Sequence, residues 1–287
     1  MDKNDILTEN KFIVTSIGML LKGSGQSSAQ AALDNENGGA TAGGAMSLLA
    51  LNRNRNRNRN RNRNRNRAQF DAPRGGGLLE PWEEREELHK LLEQWKNLPL
   101  PLPPSYKQLR VECLDLLEKQ HWLYQPSEQR RQQEILTEAS LELSGYLRPL
   151  GIEEAGGYGA TEALFYLVLA LTDEIGLRYK SRYSVLRPNQ MDPRLRPFLP
   201  NPTHASYPSN HSFQSFSIAF IFSRMLPEHP ASSELFRSAR RIAENREWAG
   251  LHYASDTKAG YFLARMMSPV LERVCRKQML AALSEWI

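Results

Sequence analysis

The sequence predicts an all-α protein, a helical bundle preceded by a disordered N-terminal region. Two observations carry this prediction. From residue 78 to residue 287, apolar residues recur at the three- and four-residue intervals of amphipathic helices. Alternating apolar and polar runs bounded by hairpin signals are absent from the same part of the chain. The 287 residues are 40% hydrophobic and 24% charged, which is enough to form a substantial core.

Residues 1–77 have the low-complexity composition of a region without a core of its own. Its apolar patch, Phe12–Leu21, resembles the hydrophobic part of a secretory signal, with Ala29-Gln30-Ala31 as a cleavage site. Against that interpretation, the acidic residues before the patch cancel the positive charge that a signal requires, and Lys22 follows it directly. We therefore favour a short helix or a partner-binding segment.

The segment Asn52–Arg67 is an alternating Asn-Arg repeat that contains eight arginines and no acid. Its arginines repel one another and no apolar residue interrupts them, so disorder is expected. Two interpretations stay open: a polycationic arm that binds nucleic acid or another polyanion, and a solvated linker, which we favour. Without these eight arginines, the chain has 29 basic and 32 acidic residues, so the basicity of the chain belongs to the repeat.

The helical domain is expected to occupy residues 78–287. Its first helix is Glu80–Lys96, which stops before the proline-rich Pro99–Pro104, and its second runs from Leu109 to Trp122. Ser127 is the predicted N-cap of a third helix that ends near Arg148. The remaining predicted helices are Ala160–Tyr179, apolar nearly all round and hence central, then Ser209–Leu226, Ser233–Glu247 and Asp256–Trp286, the last broken near Pro269.

The longest apolar stretches, Ala163–Leu171 and Phe216–Ile221, are far shorter than the roughly 20 residues of a membrane span. We therefore expect a soluble protein without integral membrane association, and favour a cytoplasmic over a secreted or periplasmic location. Two cysteines, Cys113 and Cys275, exclude a disulfide scaffold and a cysteine-rich zinc site. A homo-oligomer is compatible with the sequence.

Three clusters of charged and polar residues between Lys180 and Asp256 carry the chemistry. The first places Lys180 and Arg187 near a helix end closed by Pro188. The second is Tyr207–Ser212, in which Ser209 is a good N-cap, and the free amides of a helix N-terminus make an anion cradle beside His211.

The third cluster contains Arg246, His252 and Asp256. In a helix or tight turn, Asp256 can reach one imidazole nitrogen of His252 and leave the other free. Together, three cations, helix amides and two histidines describe a receptor for a multiply charged oxyanion. No carboxylate cluster is present in these segments, which argues against a magnesium or calcium site.

These clusters, Lys-x6-Arg-Pro, Pro-Ser-x-His and Arg-x5-His-x3-Asp, resemble the three-part signature of the type 2 phosphatidic acid phosphatase superfamily. Bacterial class A acid phosphatases and vanadium haloperoxidases belong to that superfamily. The match covers residues 180–260 and fixes nine positions at set local spacings. Two positions depart from the family pattern: Asn210 replaces a glycine, which puts the width of the pocket mouth in doubt, and Asn245 replaces a serine.

The resemblance implies catalytic roles for two histidines and an aspartate. His252 would attack phosphorus to form a phosphohistidine, Asp256 would fix the tautomer of His252, and His211 would protonate the leaving group and then activate water. The phosphate oxygens would be held by the backbone amide of Asn210 and by four side chains, those of Lys180, Arg187, Ser209 and Arg246.

We therefore expect a metal-independent phosphatase that acts on small phosphate monoesters and needs no cofactor. The alternative is a haloperoxidase in which vanadate, a mimic of the phosphoryl transition state, is bound through His252. A third hypothesis, a nucleic-acid or polyanion binder, rests only on the Asn-Arg repeat. His204 lies close enough to the second cluster to line the pocket, although an ordinary structural role is favoured for it.

Overall fold

A computed structural model describes residues 11–15, 18–22, 81–139, 143–152 and 157–287. The chain divides into two units, residues 1–53 and residues 54–287, which are described separately. The Asn-Arg repeat and the other residues of the N-terminal region lie outside the described residues, apart from one hairpin. The predictions of disorder and polyanion binding for that region therefore stay predictions.

The apolar patch of the first unit forms an antiparallel hairpin of β1, Lys11–Thr15, and β2, Gly18–Lys22. Its register pairs Lys11 with Lys22 and Thr15 with Gly18. The prediction of a short helix here is wrong. Three successive β-branched residues, Ile13-Val14-Thr15, favour an extended backbone because their side chains fit a pleated surface better than a helix.

In the second unit every regular element among the described residues is helical, which confirms the all-α prediction for this part. The α-helices are α1 Pro81–Lys90, α2 Leu92–Trp95, α3 Tyr106–Leu123, α4 Gln129–Ala139, α5 Ser144–Leu147, α6 Gly159–Tyr183, α7 Pro188–Met191, α8 Asn210–Met225, α9 Ala231–Trp248, α10 Ala254–Val274 and α11 Arg276–Leu283. Short 3₁₀ turns occur at Pro126–Glu128 and Arg148–Leu150.

Three helix predictions differ from the structure. The first predicted helix is divided at Leu91 into α1 and α2. The third is divided into several pieces, and Ser127 lies inside a 3₁₀ turn and is not an N-cap. The break predicted at Pro269 is absent, because α10 continues through it to Val274 and the chain breaks at Cys275 instead.

Tertiary packing explains why α10 tolerates Pro269. A proline removes one backbone donor from a helix and strains the preceding turn. Met267 and Val270, on either side of it, are buried in the main core. Packing of an apolar face contributes more to a helix within a protein than the propensity of a single residue.

The core lies around α6 and α8. Helix α8 packs most extensively on α10 and also contacts α9 and α6. Its apolar positions are buried on several sides, including Phe213, Ile218 and Phe222. The prediction of an apolar central helix for Ala160–Tyr179 is confirmed by α6, whose buried residues extend from Thr161 to Lys180.

Two smaller apolar clusters hold the loop before α10. One joins α3 residues Leu109 and Cys113 to Leu195 and Tyr253, and the other joins Leu123 and Ile135 to Leu199, Ala249 and Leu251. The residues on both sides of His252 are therefore anchored by helices from the N-terminal part of the domain. None of the helices in the described ranges has the length and apolar character needed to cross a membrane.

Candidate active site

The first cluster lies where α6 ends and α7 begins. The chain leaves α6 at Ser184, which adopts a left-handed conformation with φ of 50°. Arg187 is the N-cap residue of α7, and its backbone N–H donates to the Gln190 side chain at 2.7 Å. This arrangement turns the chain so that Lys180 and Arg187 both reach the segment 204–208.

The ammonium group of Lys180 is buried and surrounded by backbone carbonyls. Its Nζ donates to the carbonyl oxygens of Ala205 at 3.1 Å, Ser206 at 2.7 Å and Pro208 at 2.5 Å. These three bonds use all three donors of an ammonium group. Burial, followed by the charge of Arg187, lowers the pKa of Lys180 from its ordinary value. Lys180 thus fixes the loop that enters α8.

The guanidinium of Arg187 is 2% exposed and lies beside His252. One terminal nitrogen donates to the Leu251 carbonyl at 2.8 Å and lies 3.2 Å from Nε2 of His252. The other nitrogens donate to the carbonyl of His204 at 3.2 Å, and one lies 3.1 Å from His204 Nδ1. These contacts are to backbone carbonyls and imidazole nitrogens, and among the described residues no carboxylate contacts the guanidinium of Arg187.

His252 has a defined tautomer. Its Nδ1 lies 2.9 Å from Oδ2 of Asp256, the contact that the four-residue spacing predicts. A carboxylate accepts, so Nδ1 carries the proton; Arg187 only donates, so Nε2 presents its lone pair. The imidazole is 3% exposed. The ring is therefore held with one nitrogen protonated and the other directed at a guanidinium.

Oδ2 of Asp256 accepts from three donors. Besides His252, these are the hydroxyl of Ser206 and the backbone N–H of Tyr253, the latter at 3.2 Å. Burial raises the pKa of Asp256, and the Ser206 hydrogen bond and the charge of Lys180 act against that rise. Hydrogen bonds to a carboxylate favour its charged form. Ser206 was absent from the predicted site, because no spacing rule identifies a hydroxyl that touches Asp256 only in the folded chain.

The pKa of His252 is lowered well below its ordinary value, first by burial and then by the charges of Arg187 and Lys180. His211 and His204 contribute to the same lowering, so both lie within electrostatic range of His252. A histidine with a lowered pKa stays neutral and keeps its lone pair at acidic pH.

The second cluster forms the N-terminus of α8, as predicted. Ser209 is its N-cap, and its hydroxyl accepts from the backbone N–H of Ser212 at 3.4 Å. The backbone N–H of Ser209 donates to the backbone carbonyl of Asp256 at 3.0 Å, which joins the second cluster to the third. His211 follows in the first turn of the helix and is partly exposed.

The side chain of Asn210 is directed at α6. Its Nδ2 donates to Asp173 at 3.3 Å. A methyl group placed on Gly176 would lie 2.0 Å from its Oδ1, so the missing side chain of Gly176 provides the space for Asn210. The side chain of Asn210 is thus accommodated within the packing of α6 on α8.

Arg246 has a different environment from the other two cations. It is fully buried, and one terminal nitrogen forms an ion pair with Glu138 of α4 and donates to the carbonyl of Ile135 at 3.2 Å. Asn245 also binds Glu138, through its Nδ2 at 2.6 Å. Burial raises the pKa of Glu138, and Arg246 opposes that rise. The predicted site did not include Glu138.

The described structure brings together Lys180, Arg187, His252 and Asp256 through the segment 204–208, with Ser209 joined to Asp256. His211 lies within electrostatic range, while the guanidinium of Arg246 is turned to Glu138. Among the described residues, no group of three or more His, Cys, Asp or Glu side chains is arranged to hold a metal ion.

No family model matches the chain. An acid phosphatase of Zymomonas mobilis subsp. mobilis is 34% identical over 59 residues, which are 21% of this chain and 22% of that protein. The chain thus matches about a fifth of this relative's length. A crystal structure of a transmembrane PAP2 type phosphatidylglycerolphosphate phosphatase from Bacillus subtilis covers 59% of this chain and 96% of its own, with 17% identity and a TM-score of 0.34.

Proposed function

We propose that this chain is a phosphatase of the type 2 phosphatidic acid phosphatase superfamily that hydrolyses phosphate monoesters without a metal ion. The observation that carries the proposal is the orientation of His252. Its Nδ1 is held by Asp256 at 2.9 Å and its Nε2 lies 3.2 Å from the guanidinium of Arg187. A nucleophile oriented by a carboxylate, next to a cation that attracts an oxyanion, is the arrangement that phosphoryl transfer to histidine requires.

In the first step Nε2 of His252 attacks phosphorus and the bond from phosphorus to the ester oxygen breaks. His211, in its protonated form, gives its proton to the departing oxygen. The Nδ1 proton of His252 stays on the nitrogen that faces Asp256, whose carboxylate stabilises the positive charge that the ring acquires. In the second step His211 takes a proton from water, the water oxygen attacks phosphorus, and the bond from phosphorus to Nε2 breaks.

Arg187 is the cation best placed to hold the phosphate oxygens, because no carboxylate among the described residues contacts it and it lies 3.2 Å from Nε2 of His252. Ser209 and the amide of Asn210 would add the helix N-terminus to the cradle. Lys180 would act through its charge while its three donors hold the loop. Arg246 would join the cradle by turning from Glu138 to a phosphate oxygen.

The direct test is release of phosphate from an aryl phosphate by the purified full chain. We expect His252→Ala to lower kcat/KM by about a thousandfold or more, because it removes the nucleophile. His89→Gln is the matched control, since His89 is exposed and its ring bonds Glu174 on the protein surface. Equal activity in wild type and His252→Ala would exclude His252 as the nucleophile.

Three further measurements separate this mechanism from its alternatives. A radiolabelled phosphoryl group should be trapped on the wild-type chain in an acid-labile, alkali-stable form, and be absent in His252→Ala. Chelators should leave the activity unchanged. Orthovanadate should inhibit hydrolysis; vanadate-dependent oxidation of bromide by peroxide, without ester hydrolysis, would contradict the proposal and favour a haloperoxidase.

A further inference from the structure

A groove opens beside His211 and is larger than a phosphate group requires. Its volume is about 630 Å³, within the range of small-molecule sites. His211 and Gln214 of α8 form part of its wall together with Leu169 of α6. Tyr146 of α5 and Ile242 of α9 add further apolar surface. The groove therefore has room for an organic group next to the proposed general acid.

Four arginines from three elements line the rest of the groove: Arg130 of α4, Arg148 of the second 3₁₀ turn, and Arg237 and Arg241 of α9. Glu134 is shared by two of them, at 3.2 Å from Arg130 and 2.7 Å from Arg241. One carboxylate thus serves two guanidinium groups on this wall.

The other acids of the groove do not balance its positive charge. Glu234 pairs with Arg237, and Glu138 is already committed to Arg246, which does not line the groove. Among the described lining residues, apart from Glu138 with its own partner Arg246, two carboxylates therefore face four guanidinium groups. In the described part of the chain, no ion pair includes Arg148.

Resting on the proposed function, we propose that this groove holds the leaving group of the substrate, and that the preferred substrate is a phosphate ester whose leaving group carries a second anionic group. A general acid must lie within hydrogen-bond reach of the leaving oxygen. If His211 is that acid, the rest of the leaving group extends into the groove that His211 lines.

The ion pairs of the groove do not prevent such binding. The side chains of Arg130 and Arg237 are 90% and 74% exposed. Exposed ion pairs contribute little free energy, so these arginines can exchange a glutamate for a substrate anion at small cost. A guanidinium binds either a carboxylate or a phosphate through two parallel hydrogen bonds, so both are suitable second groups.

The test uses two non-hydrolysable ligands that differ only in charge, 6-phosphonohexanoate and 6-phosphonohexanamide, and measures their binding to the full chain by calorimetry. We expect the carboxylate to bind about fivefold more tightly than the amide, the size of one exposed ion pair. The ratio should fall towards one in Arg148→Gln/Arg237→Gln and with increasing salt. Arg240→Gln, an exposed α9 residue paired with Glu244, is the matched control and should keep the wild-type ratio.

Equal affinity for the two ligands in the wild type, or the same ratio in the double variant, would overturn the proposal. Circular dichroism of each variant checks that its fold is retained. Hydrolysis of an aryl phosphate by the same sample separates the two proposals. Activity together with equal binding of the two ligands rejects the groove proposal alone. Preferential binding of the carboxylate without activity rejects the phosphatase, and with it the leaving-group role, while the groove stays an anion-binding site.

Discussion

Arg187 and Arg246 are both buried arginines of the predicted signature, but their surroundings differ. Arg187 contacts backbone carbonyls and two histidines, and no carboxylate among the described residues. Arg246 contacts the carboxylate of Glu138. Burial lowers the pKa of Arg187 to about 10, and it also lowers the pKa of Arg246, where Glu138 acts in the opposite direction.

The partners of each buried guanidinium determine how readily it can bind a phosphate. A guanidinium without a carboxylate partner keeps a positive charge that a phosphate can neutralise. A guanidinium paired with a carboxylate must first give up that partner. On this basis Arg187 is the permanent part of the proposed cradle and Arg246 the part that exchanges partners, a distinction that the sequence motif does not contain.

The largest expected effect is the loss of activity that follows from replacing Arg187. Arg187→Gln should lower kcat/KM for an aryl phosphate by about a thousandfold, the upper range for losing one preorganised donor to a transition-state oxyanion. Arg182→Gln is the control, because Arg182 is exposed and bonds Asn97 at 3.2 Å. A loss smaller than that of Arg246→Gln would reverse the comparison.

The next largest effect is the loss of stability that follows from replacing Arg246. Arg246→Gln should lower the free energy of unfolding by about 3 kcal/mol, because it leaves Glu138 buried without its cation. The double variant Arg246→Gln/Glu138→Gln should recover most of this loss without recovering activity. Urea denaturation measures the stability, and full additivity of the two substitutions would show that the ion pair is not coupled.

Ser206→Ala tests how Asp256 orients His252 and leaves both arginines unchanged. We expect kcat to fall about tenfold with little change in KM, because Asp256 loses one of its three donors and orients His252 less well. Ser206→Thr keeps a hydroxyl and should restore part of the rate. The buried Ser232, which bonds Leu226 at 3.2 Å, provides the control Ser232→Ala. An unchanged kcat in Ser206→Ala would remove Ser206 from the positioning set.

The smallest effect is a change in the pKa of His252, followed by NMR titration of its ring. Arg187→Gln should raise this pKa because it removes a nearby positive charge, whereas Arg246→Gln should leave it unchanged.

In the wild type, the pKa of His252 in the folded chain lies below its unfolded value near 6.5, so the unfolded chain takes up the proton at a higher pH than the folded chain does. The contribution of His252 to stability is therefore present above about pH 6.5 and is lost as the pH falls below it. Equal shifts in the two variants would contradict the proposed difference between the arginines.

Periodicity predicted the helices whose apolar faces are long and regular. The central helix and the N-cap at Ser209 are found as predicted, because both depend on local signals. The predicted helix over Phe12–Leu21 is wrong because the β-branched residues of that segment favour the paired strands that form there. The predicted break at Pro269 is wrong because core packing overrides the local effect of the proline. Local signals are limited in the same way at the site. The contact from His252 to Asp256 follows from their spacing, whereas Ser206 and Glu138 contact Asp256 and Arg246 from distant parts of the chain.

The residue types of the site, and the four-residue spacing that lets Asp256 at the start of α10 reach His252, can be read from the sequence because they depend on local geometry. Which charges remain unbalanced cannot be read from the sequence and is settled in the folded chain. That outcome depends on contacts between α4 and α9 and between α6 and the segment 204–208, which join residues far apart along the chain. Burial then shifts the pKa of each charged group, and burial is a property of the folded chain.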